Sequence, residues 1–240
     1  MKGLFAVASL AVFTTANART FTVRNNCGST IWPAIFTPSG SSPDHATGWE
    51  AASGTQETFN VPNDWTSGRI WGRTNCDFSR PGADSCETGG CEGGLECTAT
   101  GRPPASLAEW TLQGDGNQDF YDVSLVDGFN LPMAITNNVG CPVADCPANL
   151  NSGCPGELSV PGGCNSACSA NLDGNPEDSA NCCSGSHNTP ETCPVDGVQF
   201  YDYFKDGCPN SYAYAYDEPS GALKQCDSGL AADYTLTFCP

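Results

Sequence analysis

Two carboxylates, Glu109 and Asp122, lie on either side of a short segment, 113–118, that contains two glycines. This composition is typical of a hairpin loop, so the segments flanking it are expected to pair as antiparallel strands. If Leu112 pairs with Asp119, the antiparallel count puts Glu109 directly opposite Asp122. Like charges opposite each other destabilise a sheet, so packing alone does not explain the pair, and a function would.

Hydrolysis of a glycosidic bond is chemistry that needs two carboxyl groups held close together. Directly opposed strand residues have Cβ atoms about 4.5–5.5 Å apart, and retaining glycosidases hold their carboxyl groups about 5–5.5 Å apart. Inverting enzymes need roughly 6.5–9.5 Å. Asp127, beyond the end of the second strand, is therefore the alternative partner for Glu109 under an inverting mechanism.

The elements that must position these groups are short β-strands. Runs of β-branched and aromatic residues, bounded by Gly, Pro, Asn and Asp, recur along the chain and predict an all-β sandwich with mainly antiparallel sheets. The best helix candidate is 195–206. The predicted strands are 19–24, 30–36, 56–61, 69–74, 106–112, 120–126 and 234–238.

The cysteine pattern predicts a disulfide framework. All 16 cysteines follow residue 18, an even number that is typical of a chain exported to an oxidising compartment. Nine of them lie between Cys141 and Cys208, in a region rich in Gly, Pro, Asn and Ser that we interpret as a loop-rich lobe held by its bridges. Because His45 and His187 stand alone, zinc ligation is disfavoured and no metal is expected.

The N-terminal residues 1–18 have the three parts of a signal peptide: Lys2, an apolar stretch and a small-residue cleavage site at 16–18. Secretion is therefore expected, with a mature chain of 19–240. Without Lys2, 8 basic residues stand against 27 acidic ones, a formal charge near −19. That charge argues against nucleic acid and anionic membranes as partners, whereas a neutral polysaccharide meets no such repulsion.

Several motifs, in order and in spacing, closely resemble those of the thaumatin-like proteins, the pathogenesis-related group 5 type. The resemblance extends over essentially the whole mature chain, including the order of the cysteines and the adjacent pair Cys182 and Cys183, and is nearest to a fungal, glucanase-like member. The motifs are GRIWGRTNC, TGGCEGGLEC, GRPPASLAEW, DFYDVSLVDGFNLPM and the C-terminal YTLTFCP.

The resemblance implies a mainly β fold, in which a β-sandwich is flanked by a disulfide-rich lobe at about 141–208 and by a small loop domain. It also implies eight disulfides. The implied pairs are Cys27 with Cys239, Cys76 with Cys86, Cys91 with Cys97, Cys141 with Cys226, Cys146 with Cys208, Cys154 with Cys164, Cys168 with Cys182, and Cys183 with Cys193.

The family's acidic cleft carries over to this sequence motif by motif. The implied cleft residues are Arg69, Glu109, Asp122, Asp127 and Asp217, with Glu218 as the alternative to the last, and Phe120 and Phe129 are candidate sugar-stacking aromatics. Because like charges disfavour joint ionisation, one carboxyl is expected to stay protonated as a general acid. Glu109 is assigned that role, with Asp122 or Asp127 as its partner and Arg69 holding the ionised group.

The sequence leaves three functional hypotheses. The first is an extracellular β-1,3-glucanase acting on fungal cell-wall glucan, and the second is a non-catalytic glucan-binding or antifungal protein that uses the same cleft. The third is an inhibitor of a glycosidase or protease, acting through a surface loop. A two-carboxylate mechanism needs no cofactor, and a single stapled domain favours a monomer.

Overall fold

The computed structural model describes residues 18–240, and within that range two five-stranded sheets face each other as a sandwich. The signal peptide predicted at 1–18 lies outside the described residues except for Ala18. In spatial order the back sheet consists of β3 (Gln56–Val61), β1 (Arg19–Asn25), β12 (Tyr234–Phe238), β7 (Met133–Asn137) and β8 (Ala144–Cys146). The front sheet consists of β11 (Lys224–Asp227), β6 (Gln118–Ser124), β5 (Leu107–Gly114), β4 (Gly68–Arg73) and β2 (Trp32–Phe36).

The remaining elements are short. Strands β9 (Ser159–Val160) and β10 (Gly163–Cys164) form a hairpin, and α1 (Tyr201–Gly207) is the α-helix of the described chain. Single turns of 3₁₀-helix occur at Gly82–Ser85, Asp115–Asn117, Gly185–His187, Val195–Gly197, Glu218–Ser220 and Ser228–Leu230. None of the helices among residues 18–240 is long and apolar enough to cross a membrane.

The core lies between the two sheets and is built from large aromatic side chains. Phe21 of β1 packs edge-on against Trp65 and Trp110, and Tyr234 of β12 packs against both Phe21 and Trp110. All four are at most 2% exposed. They reach the core because inward-facing residues alternate with outward-facing ones along each strand, as the two-residue period requires.

The first and last strands, β1 and β12, lie side by side in the back sheet and pair in parallel. The bridge between Cys27 and Cys239 joins these two strands just beyond their ends. The eight bridges implied by the family resemblance are all present. The mainly β, disulfide-stapled fold predicted from the sequence is therefore confirmed.

The helix prediction over 195–206 was wrong about where the helix begins. Val195–Gly197 forms a 3₁₀ turn, and the α-helix begins only at Tyr201. Between them Phe200 adopts a left-handed conformation, with φ of 60°. A residue with that backbone conformation cannot continue a right-handed helix, so the apolar spacing that suggested one long helix spans a break.

A second, smaller apolar cluster covers part of the front sheet on its outward face, the face turned away from the back sheet. There Ala34, Trp71 and Leu107 pack against Cys91 and Cys97 from the loop region 74–105. Beyond this cluster the next outward residues of β4 and β5, Arg69 and Glu109, are each 27% exposed. We call this partly exposed part of the outward face the cleft face.

Candidate functional site

Three charged residues lie side by side across the cleft face. Arg69 of β4 is paired with Glu109 of β5, and Glu109 is paired with Asp122 of β6. Since directly opposed strand residues project to the same side of a sheet, the three side chains form one row across three adjacent strands. We call Arg69, Glu109 and Asp122 the charged row. Next to this row, Phe36 of β2 is paired with Arg69 and presents an apolar ring on the same face.

Local packing explains why these side chains point outward. In β5, Ala108, Trp110 and Leu112 are at most 2% exposed and face the core, so Glu109 between them must face the cleft. In β4 the neighbour of Arg69 is Gly68, where an added Cβ would lie 2.0 Å from the indole ring of Trp65. Glycine is therefore the residue that lets β4 pass over this ring.

A cavity of about 240 Å³ lies over the charged row. Besides the three charged residues it is lined by Ser67, Trp110, Thr111, Phe120 and Leu223. The lining thus combines carboxylates, hydroxyls and an aromatic ring in a shallow depression on the sheet. This is the composition expected of a carbohydrate site, where polar groups bind hydroxyls and apolar groups bind the faces of the sugar rings.

Arg69 and Glu109 form an ion pair, with 3.0 Å between Arg69 Nη2 and Glu109 Oε1. Each side chain is 27% exposed. Burial raises the pKa of Glu109, the Arg69 charge opposes that rise, and the charge of Asp127 adds to it. Glu109 is therefore the carboxylate of the row with a cation bonded to it.

Asp122 has the most strongly perturbed carboxyl of the row. Burial and the neighbouring Glu109 charge raise its pKa well above the ordinary value of 3.8, and Glu218 contributes in the same direction. Arg69 lowers the pKa of Asp122 by less than these effects raise it. A carboxyl in this position favours the protonated form and is able to give up a proton in a reaction.

Asp127 lies just past the end of β6, in a turn where Gly128 adopts φ of 86°. Its side chain is half-buried, and burial raises its pKa against the opposing charge of Arg69. Because its charge acts on Glu109, the structure brings it into the same electrostatic group as the charged row.

Two residues expected in the cleft lie elsewhere. Asp217 is 2% exposed and binds α1, with an ion pair of 2.9 Å to Lys205 Nζ and a hydrogen bond accepted from Tyr201. Its exposed neighbour Glu218 acts electrostatically on Asp122 instead. Phe129 is fully buried in the core, so the expectation that it stacks on sugar was wrong, because its backbone pairs with Cys164 under the lobe.

Phe120 does line the cavity, and four other lining residues, Ser67, Trp110, Thr111 and Leu223, were not predicted as site residues. Ser67, Thr111 and Leu223 have no distinctive chemistry in the sequence. Thr111 shares the outward face of β5 with Glu109, so the two-residue period was the signal that could have identified it. Among residues 18–240, no group of three or more His, Cys, Asp or Glu side chains is arranged to hold a metal ion.

Comparisons with known proteins agree with this architecture. The sequence model of the thaumatin family matches residues 25–240. Thaumatin-like protein 1a from Malus domestica is 41% identical over 243 residues, covering 97% of this chain and 94% of that protein. A protein from Prunus avium named glucan endo-1,3-beta-glucosidase is 41% identical over 255 residues, covering 100% of both.

Among solved structures, a laminaripentaose-producing β-1,3-glucanase from Paenibacillus barengoltzii, complexed with laminarihexaose, has a similar fold. The TM-score is 0.55 at 12% identity, and the match covers 98% of this chain and 80% of the other. At this identity the likeness is one of fold.

Proposed function

This chain belongs to the thaumatin family, and from that premise we propose that it is a secreted protein that hydrolyses β-1,3-glucan of fungal cell walls at the charged row. The observation that carries the proposal is the placement of Glu109 and Asp122 directly opposite each other, with Arg69 bonded to only one of them. The glucosidase name of the Prunus avium relative supports the choice of substrate.

The ion pair supports different roles for the two carboxyls. The sequence favoured Glu109 as the general acid. The pKa of both carboxyls is raised by burial, but the rise is larger for Asp122, and the ion pair with Arg69 opposes it at Glu109. We therefore assign Asp122 as the acid and Glu109 as the carboxylate. This follows the general rule that paired titratable groups divide acid and base roles when their environments differ.

In the reaction, Asp122 donates its proton to the glycosidic oxygen while the bond from that oxygen to the anomeric carbon breaks, leaving the electron pair on the oxygen. The Glu109 carboxylate stabilises the positive charge that develops at the anomeric carbon. It does so either by attacking that carbon, as in a retaining enzyme, or beside a water activated by Asp127, as in an inverting one. In the retaining route, a water molecule then breaks the bond between Glu109 and the sugar, giving its hydroxyl group to the anomeric carbon and its proton to Asp122. In the inverting route, the attacking water gives its proton to Asp127, and proton exchange with solvent afterwards restores Asp122 and Asp127.

The test is the release of new reducing ends from laminarin at acidic pH by the purified mature protein. Glu109→Gln and Asp122→Asn are each expected to lower the rate at least a hundredfold, the scale of a lost acid or base. Glu157→Gln, an exposed glutamate in the lobe, is the matched control and should leave the rate unchanged. Activity should also fall as the pH rises and Asp122 loses its proton.

Two outcomes would change the assignment. Full activity in both row variants would remove the charged row from the mechanism. Glucan binding by the parent without release of reducing ends would make the protein a recognition module, in which the same residues hold the sugar without cutting it.

The proposal includes an extracellular location and a monomeric state. All 16 cysteines are paired, which suits an oxidising compartment. If secretion follows the predicted signal peptide, the secreted product begins at Arg19 and elutes with the mass of one chain. A product retained in the cell with residues 1–18 intact would contradict this part.

A further inference from the structure

A second row of residues runs across the cleft face beside the charged row, and every member of it is uncharged. Thr111 of β5 is paired with Phe120 of β6, and Phe120 is paired with Gln225 of β11. Ser67 lies opposite Thr111 at the other end, with a hydrogen bond of 3.2 Å from its backbone N–H to Thr111 Oγ1. We call Ser67, Thr111, Phe120 and Gln225 the neutral row.

The two rows are one strand period apart. Thr111 follows Glu109 by two residues, and Asp122 follows Phe120 by two, so corresponding members lie roughly 6.6–6.8 Å apart along each strand. Neighbouring members of one row lie roughly 4.7–4.9 Å apart, the distance between strands. The neutral row therefore crosses three strands, β5, β6 and β11, and reaches the residue just before β4. It lines the same cavity as the charged row through Ser67, Thr111 and Phe120.

The ring of Phe120 is half-exposed. It lies against Gly114, where an added Cβ would be 2.8 Å from Phe120 Cδ2. The pairing of β5 with β6 shifts between Thr111 and Gly114, which brings the glycine under the ring. A rigid, half-exposed ring at the edge of a cavity offers apolar area at little cost in conformational entropy.

The other members offer hydrogen-bonding groups. Thr111 Oγ1 accepts a bond from Ser67, which leaves the threonine hydroxyl hydrogen free to donate. Ser67 and Gln225 are both exposed. Ser67 also holds a left-handed backbone conformation, with φ of 51°, a departure that is uncommon for residues other than glycine and that concentrates at functional sites.

We propose that the neutral row is a glucan-binding row that holds the polysaccharide across the strands, with one sugar ring stacked on Phe120 beside the bond presented to Glu109 and Asp122. This inference rests on the proposed function. It adds the direction in which the polysaccharide crosses the sheet and the residues that bind it. The spacing between strands is close to the length of one pyranose ring, so successive sugars meet successive members of the row. A neutral, hydroxyl-rich ligand suits this row, whereas a charged one would gain nothing from it.

The test measures the affinity for laminarihexaose by calorimetry in a Glu109→Gln background, so that the ligand is not consumed. Phe120→Leu keeps the apolar bulk but removes the flat ring, and we expect affinity to fall about tenfold. Gln225→Ala, on an exposed position, should lower it about threefold. Thr235→Val, on the outward face of the back sheet, is the matched control and should bind like its Glu109→Gln parent.

The outcomes separate this inference from the function on which it rests. If the Glu109→Gln parent binds laminarihexaose and both neutral-row variants bind it equally well, the proposal that the neutral row binds glucan is wrong, and the proposed hydrolytic function is unaffected. If the wild-type protein neither binds laminarihexaose nor hydrolyses laminarin, both the proposed function and the inference about the neutral row are wrong. Should Phe120→Leu melt at a lower temperature than its parent, Gln225→Ala decides the question, because its side chain is outside the core.

Discussion

Asp119 and Asp122 stand three residues apart on β6 and point to opposite faces of the front sheet. Asp119 faces the core with no exposed surface, and its carboxylate is surrounded by donors. Arg19 binds both oxygens, Tyr234 donates its hydroxyl at 2.9 Å, and the backbone N–H of Gln113 donates at 3.1 Å. Burial alone would raise the pKa of Asp119, but these bonds lower it below 3.8.

On the cleft face the effects that raise the pKa outweigh those that lower it. Asp122 meets burial and the like charge of Glu109, and both raise its pKa. The cation that could have neutralised it, Arg69, is bonded to Glu109. The pKa values of two aspartates on one strand thus shift in opposite directions, because Asp119 has enough hydrogen-bond donors and Asp122 does not. The number of donors, more than burial, separates a structural carboxylate from one suited to proton transfer.

The largest effect that tests this contrast is on stability. Asp119→Asn leaves the Arg19 guanidinium buried without an opposing charge, so the free energy of unfolding should fall by about 3–5 kcal/mol at neutral pH. Denaturant unfolding with all bridges intact measures it. A loss as small as that expected for an exposed position would mean that the buried ion pair does not anchor β1 to β6.

On the cleft face a substitution is expected to raise the free energy of unfolding, by a smaller amount. Asp122→Asn removes one of two opposed like charges, so the free energy of unfolding should rise by about 0.2–1 kcal/mol at neutral pH. Unfolding of this variant and of the parent under the same conditions tests it. Destabilisation instead would indicate that Asp122 is held by donors in the way Asp119 is.

The two variants should also respond differently to pH. Asp119 has a lowered pKa in the folded state, so its contribution is fully present above the ordinary value of 3.8 and is lost as the pH falls below it. Asp122 has a raised pKa in the folded state, so it does not lower the free energy of unfolding below pH 3.8, and it lowers that free energy increasingly as the pH rises. Unfolding measured from pH 3 to pH 7 should show the advantage of Asp122→Asn appearing only above about pH 4.

The contrast also marks what the sequence could predict. Alternation in β5 was enough to place Glu109 on the outer face and opposite Asp122, although the pairing shifts just beyond, between Thr111 and Gly114. Strands without such alternation were missed. Lys224–Asp227 is mostly polar because it lies at the edge of the front sheet, and Met133–Asn137 follows a proline and ends in polar residues.

Site residues were predictable to the extent that a two-residue period fixed their face. Asp217 was placed in the cleft by its motif, and Phe129 as an aromatic residue able to stack on sugar. Both are buried by long-range contacts, with Lys205 and with Cys164, that no local pattern reveals. The ion pair of Arg69 with Glu109 depends on the order of β4 and β5 in the sheet, which is likewise a long-range property.

The smallest effect is expected for a third arginine–carboxylate pair, Arg102 with Asp84 in the loop region 74–105. Its side chains are 51% and 63% exposed, against 2% and 0% for Arg19 and Asp119. Water screens exposed charges, and holding two flexible side chains together costs entropy, so Arg102→Gln should leave the unfolding midpoint unchanged. A midpoint shift as large as that of Asp119→Asn would show that charge pairing itself, regardless of burial and of the number of donors, stabilises this fold, and the contrast between the two faces of β6 would lose its physical basis.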